Sequence, residues 1–366
     1  MERLSVFGLL LAILCAITSK YGSYGDTKFS NCSKNDLEAL INFQNGLEDP
    51  ENRLSSWKGS NCCQWRGIDC DNSTGAVVSI DLRNPFPVNS DSSSSTNPLN
   101  SELPDWLVNI STLVHFDLSN CNLFGRIPLG FGELPNLQYF SLAGNDNLSA
   151  SCSQLFRGSW KMIRYINLAS NRLHGKLPSS IGNMSFLTNF DLSMNNVGGG
   201  IPSSIGKLCK LKEFDLFGNN LTGSLPEFLE GTDNCVSNSP LPNLMYLRLS
   251  NNHLQGKLPD WLGQLGNLVE LDLSYNQFQG PIPASLGNLQ NLTIMSLEGN
   301  EINGTLPESF GNLSELSTLD VSVNHLTAGI LFPMLMLAIR KPWSNAYFNF
   351  LDRIVDKLLW VKNKRS

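Results

Sequence analysis

The sequence predicts a repeat solenoid in which each unit contributes one short β-strand to a parallel sheet. Three observations support this prediction. Leucines recur at a nearly constant spacing, glycine and proline follow them at fixed positions, and cysteines cluster ahead of the first unit. A globular chain of 366 residues would form two or three domains. Stacked repeats let a single core run along the chain, so one continuous array is expected instead.

Charge and composition exclude two other classes of protein. The formal net charge is −6 and the isoelectric point is about 5.3, whereas a nucleic-acid-binding protein needs a basic face. Hydrophobic residues make up 41% of the chain, which is enough to bury a core and argues against intrinsic disorder.

The first 25 residues are predicted to be a secretory signal peptide. Arg3 supplies a positive start, and residues 4–17 form an apolar run that is too short to span a bilayer. Small residues at Thr18, Ser23 and Gly25 offer cleavage points. The alternative interpretation of this segment is a buried amino-terminal helix.

Cysteines and glycosylation sequons both fit a secreted protein. Removing Cys15 with the signal peptide leaves eight of the nine cysteines, and an even count favours disulfides over metal sites. Cys62 and Cys63 are adjacent, so they cannot form a C-x-x-C zinc clamp. Nine N-x-[ST] sequons predict glycosylation at Asn31, Asn72, Asn109, Asn147, Asn183, Asn220, Asn291, Asn303 and Asn312.

The repeat units follow the pattern L-x-x-L-x-L-x-x-N-x-L-x-G-x-[IL]-P. Nine units start at Leu113, Leu137, Ile163, Leu187, Leu211, Leu244, Leu268, Leu292 and Leu316. Most starts are 24 residues apart, but the second unit has 26 residues and the fifth has 33. A degenerate unit starts at Val77 and is lengthened by a serine-rich insert around Ser90–Thr96, which is predicted to be a surface loop.

Positions one to nine of each unit predict a strand followed by a bend. Apolar residues at positions one, four and six point inward from the strand. The asparagine at position nine can satisfy backbone groups at the bend that follows. These asparagines are Asn145, Asn171, Asn195, Asn219, Asn252, Asn276, Asn300 and Asn324. Cys121 takes this position in the first full unit, a substitution that this pattern tolerates.

Glycine and proline predict the return path of each unit. Glycine at position thirteen permits backbone angles that a Cβ atom forbids, and it occurs at Gly125, Gly175, Gly199, Gly223, Gly256, Gly280 and Gly304. Proline at position sixteen prevents regular helix, and it occurs at Pro128, Pro178, Pro202, Pro226, Pro259, Pro283 and Pro307. The return segment should therefore be extended or 3₁₀ rather than α-helical.

This pattern resembles the plant-type leucine-rich repeat, and its L-x-G-x-[IL]-P segment is the specific part of the match. The resemblance implies an α/β-type leucine-rich-repeat solenoid, rich in β-structure, with a parallel concave sheet and a 3₁₀ or extended convex side. About ten repeats would occupy residues 77–325. Residues 26–76 resemble the amino-terminal cysteine cap of these proteins, through Asp36–Leu40, Leu54–Trp57 and Cys62–Asp71. Such a cap shields the open apolar end of a solenoid.

The resemblance also implies specific disulfides. By similarity to the plant cap, the expected bridges there are Cys32–Cys62 and Cys63–Cys70. Cys209 and Cys235 bracket the 33-residue unit, so a bridge that pins its insert is expected as well. Cys121 and Cys152 are a further candidate pair, and the sequence leaves their connectivity open.

The predicted ligand-binding surface is the concave face, to which positions three, five, seven and eight of each unit project. Aromatic and arginine side chains dominate contact energies at interfaces, which favours a recognition strip here. The candidate ligand-binding residues are His115, Tyr139, Tyr165, Asp191, Glu213, Asp215, Tyr246, Arg248, Glu270 and Asp272. The alternative is a solvated polar face, because aspartate is a common filler of position five in this repeat.

The sequons avoid this face. None falls at positions three, five, seven or eight, so glycans would coat the flanks and leave the strand face bare. Steric avoidance explains the same pattern, because a bulky sugar does not fit a packed strand row.

The sequence predicts no enzymatic activity, no metal and no cofactor. Its four histidines lie outside any nucleophile motif, and both G-x-S-x-G and H-E-x-x-H are absent. Asp191 and Asp215 stack on adjacent predicted strands and could imitate an acid/base pair, but a recurring consensus residue explains them better. About 40 residues follow the last repeat, too few for a kinase domain.

The carboxyl-terminal segment predicts a membrane anchor. Residues 326–340 form a short transmembrane-like segment whose apolar part, Leu326–Ile339, spans only about 21 Å against a hydrocarbon core of about 30 Å. Residues 341–366 are basic, which fits the cytoplasmic side. Tyr347, Leu351, Ile354, Leu358 and Val361 share one helical face, which favours a helix lying on the membrane surface.

The tail RKPWSNAYFNFLDRIVDKLLW resembles the cytoplasmic end of plant receptor-like proteins, the kinase-lacking leucine-rich-repeat receptors. That resemblance implies a single-pass plasma-membrane receptor with an extracellular amino terminus. It would recognise an extracellular peptide, glycan or microbial protein and signal through a partner receptor kinase in defence or development. Family members are longer, so we expect a shortened form arising from internal deletion, alternative splicing or gene-model error.

Two other functions stay open at the level of sequence. One is a binding protein secreted to the cell wall space, similar to the polygalacturonase-inhibiting proteins. Against it, no cysteine follows Cys235 to build the carboxyl-terminal cap of those inhibitors. The other is a truncated decoy or nonfunctional fragment with an exposed apolar repeat edge.

Overall fold

A computed structural model describes residues 31–47, 49, 52–84, 99–231, 235 and 239–327. Short strands make up most of its regular structure. They are β1 (Ile68–Cys70), β2 (Val77–Asp81), β3 (His115–Asp117), β4 (Phe124–Arg126), β5 (Tyr139–Ser141), β6 (Asn147–Ser149), β7 (Tyr165–Asn167), β8 (His174–Lys176), β9 (Asn189–Asp191), β10 (Asn196–Gly199), β11 (Glu213–Asp215), β12 (Asn220–Ser224), β13 (Tyr246–Arg248), β14 (His253–Gly256), β15 (Glu270–Asp272), β16 (Gln277–Gly280), β17 (Ile294–Ser296), β18 (Glu301–Gly304), β19 (Thr318–Asp320) and β20 (His325–Leu326). The predicted signal peptide, the serine-rich insert and most of the predicted anchor and tail lie outside the described residues.

One sheet of eleven strands runs the length of the described solenoid, in the order β1-β2-β3-β5-β7-β9-β11-β13-β15-β17-β19. Only β1 is antiparallel to its neighbour; the other neighbours pair in parallel, with position three beside position three and position five beside position five. The fold class predicted from the sequence is therefore confirmed. We call the solvent-facing side of this sheet, formed by positions three, five, seven and eight, the concave face.

The return path of the units, predicted to be extended or 3₁₀, forms a second parallel sheet that the sequence did not predict. Its order is β20-β18-β16-β14-β12-β10-β8, and β4 pairs separately with β6. The position-thirteen glycines lie in these strands with left-handed backbone, for example φ of 82° at Gly125 and 83° at Gly256. That conformation explains why glycine recurs at this position.

Helical segments follow the prolines as short 3₁₀ turns. Those of the repeats are Asp105–Asn109, Leu129–Glu133, Ser179–Asn183, Ser203–Lys207, Asp260–Gln264, Ala284–Asn288 and Glu308–Asn312, each directly preceded by proline. The 26-residue unit lacks both the glycine and the proline, and it contains a short α-helix, α2 (Cys152–Leu155), instead. Without proline, this segment can close i-to-i−4 hydrogen bonds.

The core contains a ladder of buried asparagines, as predicted from position nine. Asn195 donates from Nδ2 to the carbonyl oxygens of Leu168 (2.9 Å) and Leu192 (3.1 Å), and its Oδ1 accepts from the Leu173 amide at 2.8 Å. The same pattern recurs at Asn219, whose Nδ2 donates to the Leu192 carbonyl at 2.9 Å. Each asparagine thus satisfies backbone groups of its own unit and the preceding one.

Cys121 replaces the first asparagine of the ladder as a weaker donor. Its Sγ lies 3.2 Å from the Leu82 carbonyl and 3.4 Å from the Ser119 carbonyl, and Arg53 Nη1 lies 3.6 Å from the sulfur. Cys121 and Cys152 are both buried free thiols. The hypothesis that they pair is therefore wrong, because each thiol is packed inside the core of its own unit.

The amino-terminal cap closes the solenoid with one helix and two disulfides. Helix α1 (Lys34–Gly46) buries Leu40 and Phe43, and β1 pairs antiparallel with β2. The bridges Cys32–Cys62 and Cys63–Cys70 are present in the cap, and Cys209–Cys235 joins the end of the preceding unit to the insert of the 33-residue unit. These are the pairings that the sequence led us to expect.

Candidate functional site

The ten candidate residues all lie on strands β3 to β15 and project from the concave face. In each of these strands the central residue is buried. The residues at positions three and five are partly exposed in β7 to β15, whereas Asp117 and Ser141 at position five of β3 and β5 are buried. Because neighbouring strands of a sheet are about 4.8 Å apart, side chains in the same row contact one another. The structure divides the candidates into an aromatic stack and an arginine–carboxylate cluster.

The aromatic stack consists of His115, Tyr139 and Tyr165 on β3, β5 and β7. Their ring centroids are 4.2 and 4.3 Å apart, and the interplanar angles are 18° and 1°. The rings therefore cover one another's faces and present mainly their edges to solvent. Asp117 is 2% exposed and accepts a 3.3 Å hydrogen bond from the Tyr139 hydroxyl. Burial, followed by the nearby Asp117 charge, raises the pKa of Tyr139.

The arginine–carboxylate cluster is centred on Arg248. Its Nε and Nη2 donate to the two carboxylate oxygens of Glu270 at 2.8 Å each, and Nη1 donates to Glu213 Oε1 at 2.8 Å. Asp215 Oδ2 lies 3.4 Å from Nη1. The guanidinium also lies over the Tyr246 ring, 5.0 Å from its centroid. Hydrogen bonds to Glu270 are the main reason that the pKa of Arg248 is raised.

Two aspartates of this cluster ionise less readily than usual. Burial raises the pKa of Asp215 to about 6, and the neighbouring Asp191 adds to the rise, whereas the Phe217 amide and Arg248 oppose it. Burial also raises the pKa of Asp191, against the hydrogen bonds donated by Ser193. The main cause in both cases is burial, which disfavours the charged carboxylate, and the neighbouring carboxylates add to it. Around pH 6 the charge of this cluster therefore depends on pH.

Asp81, His115 and Asp117 form a group whose ligand atoms lie within 4.8 Å of one another. Arg83 lies 3.0 Å from Asp81 and 3.8 Å from Asp117, so the two carboxylates already share a cationic partner. His115 Nε2 is 3.8 Å from Asp81, too far for a hydrogen bond. This geometry fits a local charge network better than a metal centre.

Position eight supplies exposed apolar residues that the ten candidates did not include. Met194, Tyr275 and Val323 are 53%, 49% and 57% exposed, and all three have left-handed backbone with φ between 52° and 54°. The sequence contained a usable signal, because large apolar residues stand at a position predicted to face solvent. They lie in the position-eight row beside the carboxylates, where Gly218, Asn251 and Gly299 occupy the intervening units.

All nine sequon asparagines lie at exposed positions, and none of them is on the concave face. Asn147, Asn220 and Asn303 belong to β6, β12 and β18 of the return path. Asn183 and Asn312 end 3₁₀ turns. A glycan at any of these positions would extend from the flanks of the solenoid and not from the strand rows.

Comparison with known protein families shows which family the chain belongs to. Residues 33–71 match the leucine rich repeat N-terminal domain. Leucine rich repeats match residues 235–278, 112–134, 162–184, 186–208, 210–232 and 291–313, and these segments with the cap make up slightly more than half of the chain. The chain is a leucine-rich-repeat protein.

Several proteins similar to this chain are plant receptors. Receptor-like protein EIX1 of Solanum lycopersicum is 33% identical to this leucine-rich-repeat protein over 194 residues, which are 52% of the chain and 16% of the relative. The chain thus spans about a sixth of the length of that relative. Among the described residues, no helix is long and apolar enough to cross a membrane.

Solved ectodomains share the fold of this leucine-rich-repeat protein. The ectodomain of the receptor kinase GASSHO1/SCHENGEN3 from Arabidopsis thaliana, solved with CASPARIAN STRIP INTEGRITY FACTOR 2, aligns with a TM-score of 0.68 and 30% identity. The alignment covers 80% of the present chain and 33% of that one. The Arabidopsis receptor kinase HAESA, solved with the peptide hormone IDA and the co-receptor SERK1, aligns with a TM-score of 0.64 and 30% identity. That alignment covers 80% of the present chain and 46% of the HAESA chain.

Proposed function

We propose that this protein is a plant cell-surface receptor-like protein that binds an extracellular peptide or protein through its concave face. The observation that carries the proposal is the composition of that face: tyrosines, an arginine and carboxylates stand in register along one continuous sheet, and no sequon interrupts them. The similarity to ectodomains solved with peptide ligands supports the same reading. Ligand recognition, not catalysis, is the role that this arrangement suits.

Two further parts of the proposal concern location and signalling. Single-pass anchoring in the plasma membrane would use residues 326–340, nearly all of which lie outside the described residues. Signalling would use a partner receptor kinase, by analogy with the co-receptor present in the HAESA complex. Residues of the concave face would contact the ligand, leaving the flanks for glycans and a partner.

The binding part is tested with the peptide fraction of plant apoplastic fluid applied to the full chain immobilised through a tag at Ser366. Peptides retained by the wild type should be lost when Tyr139, Tyr165 and Tyr246 are all changed to Ala. A matched control changes the exposed aromatics Phe124 and Phe228 to Ala, since both lie off the concave face. Equal retention by both variants would move the site to the serine-rich insert or the 33-residue unit.

The location is tested by carbonate extraction and protease protection of the same tagged chain in plant cells. Retention in the membrane pellet with a protected cytosolic tag is the expected result. Release into the medium or the soluble lumen would refute anchoring and favour a secreted binding protein.

A further inference from the structure

We propose that the part of the concave face between β9 and β19 binds an extended, basic peptide whose cationic side chains meet the carboxylate row and whose apolar side chains meet the position-eight row. This inference rests on the proposed function, because it assigns the chemistry of the ligand to the same face. It depends on charge complementarity, on the exposure of apolar residues and on the spacing of the strands.

The charge of this surface is strongly negative. From β9 to β15 the solvent-facing rows, all within the described residues, hold Asp191, Glu213, Asp215, Glu270 and Asp272 against the single base Arg248. Five carboxylates around one guanidinium attract a cationic ligand and repel an acidic one.

The guanidinium group of Arg248 already contacts carboxylates of the neighbouring strands. Three of its four short contacts go to Glu213 and Glu270 at 2.8 Å, and only the 3.4 Å contact reaches an aspartate, Asp215. Asp191 and Asp272 instead accept hydrogen bonds from the neutral hydroxyls of Ser193, Ser250 and Ser274. These neutral donors orient the carboxylates without cancelling their charge. A cationic side chain from outside is the group that would complete the row.

The apolar row beside the carboxylates is exposed at a conformational cost. Met194, Tyr275 and Val323 have left-handed backbone, which is unfavourable for a side chain with a Cβ atom and most unfavourable for a β-branched residue such as Val323. Met194 and Tyr275 each lie over the glycine of the next unit. A Cβ atom on Gly218 or Gly299 would come within 2.8 Å of the Met194 sulfur or the Tyr275 ring. These glycines leave room for both side chains to lie along the solenoid axis.

The spacing of the rows sets the length of the ligand. Five strand-to-strand steps separate β9 from β19, which is about 24 Å at about 4.8 Å per step. An extended peptide advances about 3.3 Å per residue, so seven or eight residues cross this surface. Alternate side chains of such a peptide point to opposite sides, so one set can meet the carboxylates while the other meets the apolar row.

The probe is a capped nonapeptide that alternates lysine and leucine, and its counterpart with glutamate in place of lysine is the charge control. Fluorescence anisotropy measures binding to the full chain at pH 7 in 150 mM salt. The concave variant combines Asp191→Asn, Asp215→Asn and Asp272→Asn. Asparagine retains an Oδ1 acceptor for the amides of Ser193, Phe217 and Ser274. The matched variant combines Glu227→Gln, Asp260→Asn and Glu308→Gln, which remove the same charge from exposed positions off this face.

We expect the lysine peptide to bind, the glutamate peptide not to bind, and the concave variant to bind at least tenfold more weakly than the matched variant. Met194→Ser with Tyr275→Ser should weaken binding at least threefold.

Equal weakening by both charge variants would overturn the proposal, because it would show attraction to net charge alone. Carbodiimide cross-links from tail lysines such as Lys357 to Glu270 would overturn it by assigning the face to the chain's own tail. No binding of the probe, with apoplastic peptides still retained through the tyrosines, would refute the ligand class but leave the proposed function standing.

Discussion

Arg248 on β13 holds Glu270 on β15 with two parallel hydrogen bonds of 2.8 Å, from Nε to Oε1 and from Nη2 to Oε2. The parallel register places Arg248 beside Asp272 and places Glu270 beside Tyr246, so the pair runs diagonally between the two rows. This diagonal leaves Nη1 free to reach back to Glu213 on β11. One arginine thereby links three consecutive strands.

Replacing Arg248 should destabilise the solenoid. Arg248→Ala leaves Glu213, Asp215 and Glu270 without their shared positive charge, which we expect to cost about 2 to 4 kcal/mol in the free energy of unfolding. Arg248→Lys should recover only part of it, because an ammonium cannot make the two-pronged contact. Arg126→Ala is the control. The Arg126 and Asp105 side chains are 71% and 76% exposed, so loss of this ion pair should change stability little. Urea unfolding followed by circular dichroism measures the stability of all three variants. Equal losses of stability for Arg248→Ala and Arg126→Ala would contradict a stabilising role of the arginine–carboxylate cluster.

Asp215→Asn should stabilise the protein at neutral pH and not at acid pH. The pKa of Asp215 is raised to about 6 in the folded protein from 3.8, so the folded state binds this proton more tightly than the unfolded state. The wild type therefore loses stability as pH rises from about 4 through 6, and the variant does not. We expect a gain of up to about 3 kcal/mol at pH 7.5 that disappears near pH 4, measured by urea unfolding across that range. A gain that does not change with pH would show that ionisation is not its cause.

Asn195→Ala and Asn196→Ala should differ sharply although the residues are adjacent. Asn195 is buried and hydrogen-bonds to Leu168, Leu173 and Leu192, so its loss leaves buried backbone groups without partners and should cost at least about 2 kcal/mol. Asn196 is exposed, so Asn196→Ala should lower the free energy of unfolding by less than about 0.5 kcal/mol. Thermal unfolding midpoints of the two variants measure the difference. Similar midpoints would mean that the ladder does not stabilise this region.

Cys121 and Cys152 should resist thiol reagents in the folded protein. Burial raises the pKa of Cys121 to about 11 and that of Cys152 to about 12, so neither forms appreciable thiolate at pH 8. Iodoacetamide should modify both only after denaturation, as read by mass spectrometry of their peptides. Detection of a Cys121–Cys152 disulfide in the native protein would contradict the structure.

Much of the candidate site was predictable because repeats convert sequence position into spatial position. Once position three of one unit is known to project from the sheet, His115, Tyr139 and Tyr165 must stand in one row. The spacing could not show that their ring faces are covered by one another. The stacking depends on both the strand separation and the side-chain rotamers. Its consequence is that rings about 4.3 Å apart leave no room for a ligand between them.

The sequence by itself predicted the repeat, the inward apolar positions, the backbone-satisfying role of the position-nine asparagines and the glycine and proline positions, since each recurs at a fixed place in the unit. The two cap disulfides followed from the resemblance to the plant cap, and the third from the positions of Cys209 and Cys235. The tertiary structure alone decided the second sheet, the free state of Cys121 and Cys152 and the diagonal contacts of Arg248. It also decided how far Met194, Tyr275 and Val323 are exposed at a position that the sequence had predicted to face solvent. The physical reason is that these features depend on how closely one unit stacks on the next. Distances and burial between units decide hydrogen bonding, ionisation and solvent contact, and a one-dimensional pattern does not contain them.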